Sequence, residues 1–332
     1  MEQCLAGGDL NNSSFINSLA TLLSIPDAPL RYLDPLVVSR LKNMELRARL
    51  IVEGFITGLH RSPYHGFSVE FAEHRPYNPG DELRHVDWKV YAKTDRHYVK
   101  QYEEETNLRN YIVLDTSPSM RYKGEGDLSK LEYASYLAAG LHALMVRQRD
   151  ATGLITFDSK IQKLIPPRST PGHLRTLLSA LEGVAEAGPT DERTSGATAL
   201  SEVAERIQRR SLVVMMTDLF ENVSRHDDLL KALRHLRHRG HEVLLFHILE
   251  HETERKFKFP NAPMVFQDME TGESLSVEPA QLRENYEAAA RHFSERFRRQ
   301  CLEHNIDFLE VDTATPYDTT LLSYLNRRST LR

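Results

Sequence analysis

The chain has 332 residues, 40% hydrophobic and 27% charged, with 42 Lys and Arg against 47 Asp and Glu for a net charge of −5. This composition excludes collagen-like, low-complexity and wholly disordered chains, and the acidic balance argues against a dedicated nucleic-acid binder. Two cysteines, Cys4 and Cys301, are too few for a disulfide framework or a thiolate zinc site, which points to a reducing compartment. No apolar run approaches the roughly 18 residues of a membrane-spanning helix. The first residues, MEQCLAGGDL, lack the basic and apolar regions of a secretory signal. A cytoplasmic protein is expected.

Residues 1–30 are expected to be a partly disordered end, since 1–14 are polar and rich in Gly, Asn and Ser. Apolar residues at helical spacing predict helices over 15–24 and 36–59, separated by Pro26, Pro29 and Pro35. The period then becomes two. Phe67, Val69 and Phe71 alternate with Ser68 and Glu70, predicting a strand over 66–71. A turn-rich stretch, HRPYNPGDELRHVDW, occupies 74–88, and a second strand is predicted over 97–102. Residues 31–108 are thus read as an N-terminal region of helices plus a small β element.

From Tyr111 onward, strands alternate with helices. Apolar strands are predicted at 111–115, 151–157, 211–218, 241–249 and 306–313, with helices at 130–149, 170–183, 198–209, 226–239 and 279–304. Continuous apolar strands between helices specify an α/β fold over 109–328, a doubly wound, mostly parallel, Rossmann-like sheet. Asp158-Ser159 between two short strands reads as a hairpin, which adds one antiparallel strand at an edge. Pro260, Pro263 and Gly272 mark 254–280 as a short β-rich insertion.

The first of these strands runs directly into Asp115-Thr116-Ser117-Pro118-Ser119-Met120. In open parallel sheets ligands sit at the carboxyl ends of strands. One carboxylate and two hydroxyls are therefore placed at the favoured position. Asp218 ends another buried strand, and Thr198 follows Gly196 just before a helix. All five residues offer oxygen, the donor that hard cations such as Mg²⁺ select. Taken singly, these residues are ordinary turn and helix-cap residues. Their joint placement at strand ends favours a metal site.

The set resembles the metal-ion-dependent adhesion site of von Willebrand factor A domains. Upstream, Gly66, Arg75-Pro76-Tyr77, Pro79-Gly80-Asp81, Arg84 and Val86-Asp87-Trp88 resemble the signature of the domain-of-unknown-function 58 family. The resemblance covers about 33–328. It implies a von Willebrand factor A-like domain in which Ser117, Ser119 and Thr198 contact Mg²⁺ (or Mn²⁺) directly. Asp115 and Asp218 would hold the ion largely through waters. Neutral hydroxyls leave most of the ion's charge uncancelled, so an incoming carboxylate from a protein partner is the expected ligand. Similar proteins are commonly encoded beside MoxR-type AAA+ ATPases, which implies a non-enzymatic adaptor or co-chaperone of such an ATPase. A-type domains can also shift their last helix, here 316–325.

Other clusters are weighed against this reading. Arg75, Tyr77, Asp81, Arg84, Asp87 and Trp88 read either as a partner surface or as a buried Arg–Asp network around a core tryptophan, the second being favoured. His235, His238 and His241 sit among arginines at a helix C-terminus, which disfavours a metal. The basic run 291–299 reads as a solvated helix face. There is no Walker-type loop, dinucleotide fingerprint or nucleophile elbow. One alternative is a metal-dependent hydrolase using the same site, with His142 or His173 approaching as base. Another is an RNA-associated A-type domain, against which the acidic balance argues.

Overall fold

Residues 111–114 build two layers at once. Successive strand side chains point to opposite faces. Here Ile112 and Leu114 join one apolar cluster, while Tyr111 and Val113 join another. A strand apolar on both faces must be covered by helices on both sides. The computed structural model describes residues 35–41, 43–61, 74–76, 91–92, 98–100, 109–124, 126–186, 196–219, 226–269 and 272–322.

The elements run α1 (Pro35–Ser39), α2 (Met44–Arg61), β1 (His74–Pro76), β2 (Tyr98–Lys100), β3 (Arg109–Asp115), α3 (Lys130–Arg147), β4 (Ala151–Phe157), β5 (Ile161–Arg168) and α4 (Pro171–Glu186). They continue with α5 (Gly196–Arg206), β6 (Ser211–Thr217), α6 (His226–His238), β7 (Glu242–Leu249), β8 (Met264–Gln267), β9 (Ser274–Val277), α7 (Pro279–Glu303) and β10 (Ile306–Asp312). A short 3₁₀ turn, Pro118–Arg121, follows β3, and a π turn, His251–Arg255, follows β7. Helical turns resume at 317–322.

The main sheet has the order β10-β7-β6-β3-β4-β5. Its pairs are parallel except β4–β5. The expected doubly wound sheet and its antiparallel edge strand are both present. β5 pairs with β4 through a register shift between Thr152 and Leu154. Gly153 sits at that shift because a Cβ there would lie 2.5 Å from the Ile165 carbonyl oxygen. The strand order reverses at β3, with β4 and β5 on one side of it and β6, β7 and β10 on the other. β3 is therefore the switch point of the sheet.

One layer of the core joins α1–α4 to one face of the sheet, with Tyr317 and Leu321 added from the C-terminal turns. The other joins α5, α6 and α7 to the opposite face. α2 docks on α3 through close backbone approach, since a Cβ on Gly140 would stand 2.6 Å from Ile51 Cγ2. Arg47 stacks over Tyr136 at 4.3 Å, and Tyr317 stacks on Tyr133 at 4.8 Å.

Two sequence expectations change here. β1 falls at His74–Pro76, in the stretch read as turn, and pairs antiparallel with β2. A three-residue strand is too short to show a period of two, and its pairing lies more than twenty residues away in sequence. After β7 the chain makes the π turn before the β8–β9 hairpin, in a region with no helical pattern of its own. The expected end 1–30, the expected strand 66–71, and Tyr77, Asp81, Arg84, Asp87 and Trp88 lie outside the described residues, as do Cys4 and the side chain of Arg75.

Gly140 offers a test of the α2–α3 contact. In an unencumbered helix, Gly→Ala stabilises by about 1 kcal/mol. Here overpacking against Ile51 should reverse the sign, so Gly140→Ala should destabilise by about 1–3 kcal/mol. Adding Ile51→Ala should recover part of that loss relative to Ile51→Ala alone. Urea denaturation of the single and double variants checks both.

Candidate metal centre

β3 and β6 are parallel neighbours, with Leu114 opposite Met216. Their ends therefore emerge side by side and carry Asp115, Thr217 and Asp218 together. Thr217 Oγ1 donates to Asp115 Oδ2 at 2.6 Å. The Ser117 backbone N–H donates to Asp115 Oδ1 at 2.9 Å, an Asx turn that folds the loop back over the strand end. Thr116 ties the same loop to β4, since both its N–H and its hydroxyl donate to the Phe157 carbonyl. Pro118 starts the 3₁₀ turn, as its fixed φ allows. That turn brings Ser119 Oγ to 3.1 Å from Ser117 Oγ.

Thr198 is the third residue of α5 and is exposed. α5 precedes β6 and runs back along the sheet, so its first turn lies at the same carboxyl edge. The structure thus brings Asp115, Ser117 and Ser119 into one hydrogen-bonded set, with Asp218 at the end of the neighbouring strand. It places Thr198 on that edge without a hydrogen bond to the others.

The centre also contains groups that the sequence reading missed. Lys130, the first residue of α3, is fully buried. Its Nζ donates to Asp218 Oδ2 at 2.7 Å and to Glu254 Oε1 at 2.6 Å. Glu254 belongs to the π turn, and its second oxygen accepts from the Glu250 N–H at 2.7 Å. α3 is set by a capping box, in which Ser129 Oγ accepts from the Glu132 N–H and Glu132 returns to the Ser129 backbone. A cation at a helix N-terminus opposes the helix dipole, and the two carboxylates offset this. A lysine directly after an N-cap was the one available signal. Glu254 gave none, because its turn lacks periodicity.

The electrostatics follow from burial. Burial first, and then the charge of Asp218, push the Asp115 carboxyl up to about 7, against the bonds from Thr217 and Ser117. Burial works against the Lys130 ammonium, yet Asp218 and Glu254 hold its pKa above the ordinary lysine value. Glu254 is raised by burial, with Lys130 opposing. Four ionisable groups here carry three potential negative charges and one positive. Among the described residues, Asp115 is the group left without a counter-charge. An all-oxygen donor set around such a carboxylate fits a hard divalent cation.

Two histidines expected as possible bases for a hydrolase are elsewhere. His142 is fully buried. It bonds Thr152 Oγ1 at 2.7 Å, and burial lowers its pKa to about 3. His173 meets the Thr152 carbonyl at 2.9 Å. Thr152 pairs with Asn110 at the opposite end of the sheet, about 16 Å from Asp115 at the usual strand rise. Their helices reach that end because each runs the full length of the sheet. The histidine beside the centre is His247, whose Nε2 donates to the Asp218 carbonyl at 3.0 Å. Burial lowers its pKa to about 4, so it stays neutral.

Among the described residues no group of three His, Cys, Asp or Glu side chains could hold a metal. His235 instead meets Glu205 at 2.9 Å, and the His241 ring lies 3.4 Å from the Ser211 N–H. Cys301 is buried, with its thiol pushed up to about 12 by burial, and is therefore unreactive.

The Asp115 pKa fixes a pH dependence. The folded value exceeds the unfolded one, so folded protein holds a proton that the unfolded chain has lost between about pH 4 and pH 7. In chelator, stability should fall as pH rises through that window, and Asp115→Asn should flatten the slope. Melting temperatures at about pH 5 and pH 7.5 check this. Lys130→Met should cost about 3–5 kcal/mol, because it leaves buried carboxylates unpaired. Adding Glu254→Gln should return part of that loss in the same denaturation measurement.

A model of the family described as Protein of unknown function DUF58 matches residues 73–296. The uncharacterized protein Rv1480 of Mycobacterium tuberculosis is 28% identical over 263 residues, covering 78% of this chain and 80% of its own. Uncharacterized protein Mb1516 of Mycobacterium bovis matches to the same extent. Among solved structures, an aerotolerance-related membrane protein from Bacteroides fragilis has a TM-score of 0.43 at 17% identity, over 66% of this chain and 99% of that one. The SpRpn10 VWA domain has a TM-score of 0.37 at 13% identity, over 65% and 94%. The parallel sheet, its antiparallel edge and the Asp-x-Ser-x-Ser turn at the switch point make the fold von Willebrand factor A-like. With the family model spanning more than half of its length, the chain belongs to the DUF58 family.

Proposed function

We propose that this protein is a non-enzymatic interaction module that binds a partner carboxylate through a Mg²⁺ (or Mn²⁺) ion at the carboxyl edge of the sheet. The observation that carries this reading is Asp115, a buried carboxylate beside two neighbouring hydroxyls and, among the described residues, without a counter-charge. Ser117, Ser119 and Thr198 would be direct donors, with Asp115 and Asp218 behind them. The ion would supply an electrophilic position for an incoming Asp or Glu. Thr217 and the Ser117 N–H orient Asp115, and Lys130 orients Asp218. Because the proposed direct donors Ser117, Ser119 and Thr198 are neutral hydroxyls, the direct contacts would leave most of the ion's charge uncancelled. That favours a further carboxylate from outside.

Among the described residues, His142 and His173 lie at the far end of the sheet and His247 is tied to a carbonyl, which disfavours these histidines as bases for the hydrolase alternative. The DUF58 resemblance supports a MoxR-type AAA+ ATPase as partner, with this protein as adaptor or co-chaperone in the cytoplasm. Among the described residues no helix is long and apolar enough to cross a membrane.

At neutral pH, Mg²⁺ should raise the melting temperature of the wild type, and Ser119→Ala should abolish the rise. In a lysate pull-down, an AAA+ ATPase should be retained by wild type with Mg²⁺ and lost in chelator or with Ser119→Ala. Identical partners in all samples would overturn the metal-bridged reading.

A further inference from the structure

The opposite end of the main sheet carries an arginine row that the metal-centre reading does not use. β3, β4 and β6 start in register, with Arg109 opposite both Ala151 and Ser211. Arg149 lies just before Ala151, and Arg209 and Arg210 just before Ser211. All four are exposed. Arg147 and Arg234 extend the row and are exposed as well. None of these six makes an ion pair among the described residues. Beyond them, next to β7 and β10, Arg234, Arg237, His238 and His304 line a cavity of about 420 Å³ together with Glu303 and Asn305. At an interstrand spacing of about 4.8 Å, the row from β4 to β10 spans about 19 Å.

Helix capping accounts for part of this charge. α3, α5, α6 and α7 all end here, and each helix C-terminus carries about half a negative charge. Four ends call for about two cations. Arg239 and Arg206, already paired with Glu205 and Glu202, are two more that need no partner. The six unpaired arginines exceed that need. Backbone conformation points the same way. Each helix-to-strand junction uses a left-handed residue, and at β7 and β10 these are Gly240 (φ +85°) and Asn305 (φ +55°), the residues that tolerate it. At β4 and β6 the same position holds Arg149 (φ +62°) and Arg210 (φ +58°). The chain places arginine where glycine would be the more stable choice.

We infer that this edge is a second docking surface, which takes a carboxylate-rich protein surface. Guanidinium groups pair with carboxylates in bidentate geometry. A nucleic acid fits the row less well. The described edge offers no exposed aromatic side chain for base stacking, and Glu303 and Glu242 interrupt it. The surface lies one sheet length from the metal centre, so both could be engaged at once.

The test uses fluorescein-labelled poly-L-glutamate and anisotropy at about 50 mM salt, where exposed charges are weakly screened. Chelator is present throughout, so that the metal centre contributes nothing. Wild type should bind, and Arg109→Gln/Arg149→Gln/Arg209→Gln/Arg210→Gln should bind at least about tenfold more weakly, as four modest exposed pairs would give. Lys123→Gln/Lys160→Gln/Lys163→Gln/Arg291→Gln carries the same net charge and should stay near wild type. No binding by wild type, or equal loss in both variants, would overturn the inference. So would tighter binding of a short DNA duplex through the same arginines, which would assign the edge to nucleic acid.

Discussion

The buried ammonium of Lys130 joins three parts of the chain that are remote in sequence. It fixes the start of α3, the end of β6 at Asp218 and the π turn at Glu254. A buried ion pair is weak evidence of net stability, but loss of one partner is costly because the other charge is stranded. The pairing therefore acts mainly as a constraint on geometry. It makes the carboxyl edge of the sheet a defined electrostatic object, in which, among the described residues, Asp218 has a resident counter-charge and Asp115 does not.

That asymmetry separates two carboxylates that look alike in sequence. Both follow buried strands, and both are nearly inaccessible. Asp218 faces an internal cation, whereas the described partners of Asp115 are hydrogen-bond donors from Thr217 and Ser117. A divalent ion arriving at the hydroxyl pair would satisfy Asp115 without displacing Lys130. The two ends of the sheet then differ in chemistry as well as position. One gathers buried carboxylates around the Lys130 ammonium, and the other presents cations outward.

Much of this was legible from the order of residues. The Asp115–Ser119 turn, Asp218 and Thr198 could be assigned to strand ends and a helix start because apolar runs mark the strands and the loops between them are short. The antiparallel edge strand was marked by Asp158-Ser159. Lys130 was harder to find, because a lysine in a helical pattern ordinarily faces water. Glu254 and the β1–β2 pair left no periodic trace. The arginine row was invisible in another way. Its members lie in separate helix ends and strand starts, and each alone reads as a solvated end of its element.

Local pattern by itself determined the α/β class, the alternation of strands and helices, and the oxygen-rich turn after β3. These depend on side-chain period and on neighbours within a few residues. Tertiary structure alone decided which charges meet. It put Lys130 between Asp218 and Glu254, sent His142 and His173 to the far end of the sheet, and aligned Arg109 with Arg149 and Arg210. Those outcomes depend on strand order and register, which are set by packing both faces of the sheet at once. Contacts between residues a hundred positions apart form only when the sheet is assembled, so they leave no mark on local sequence.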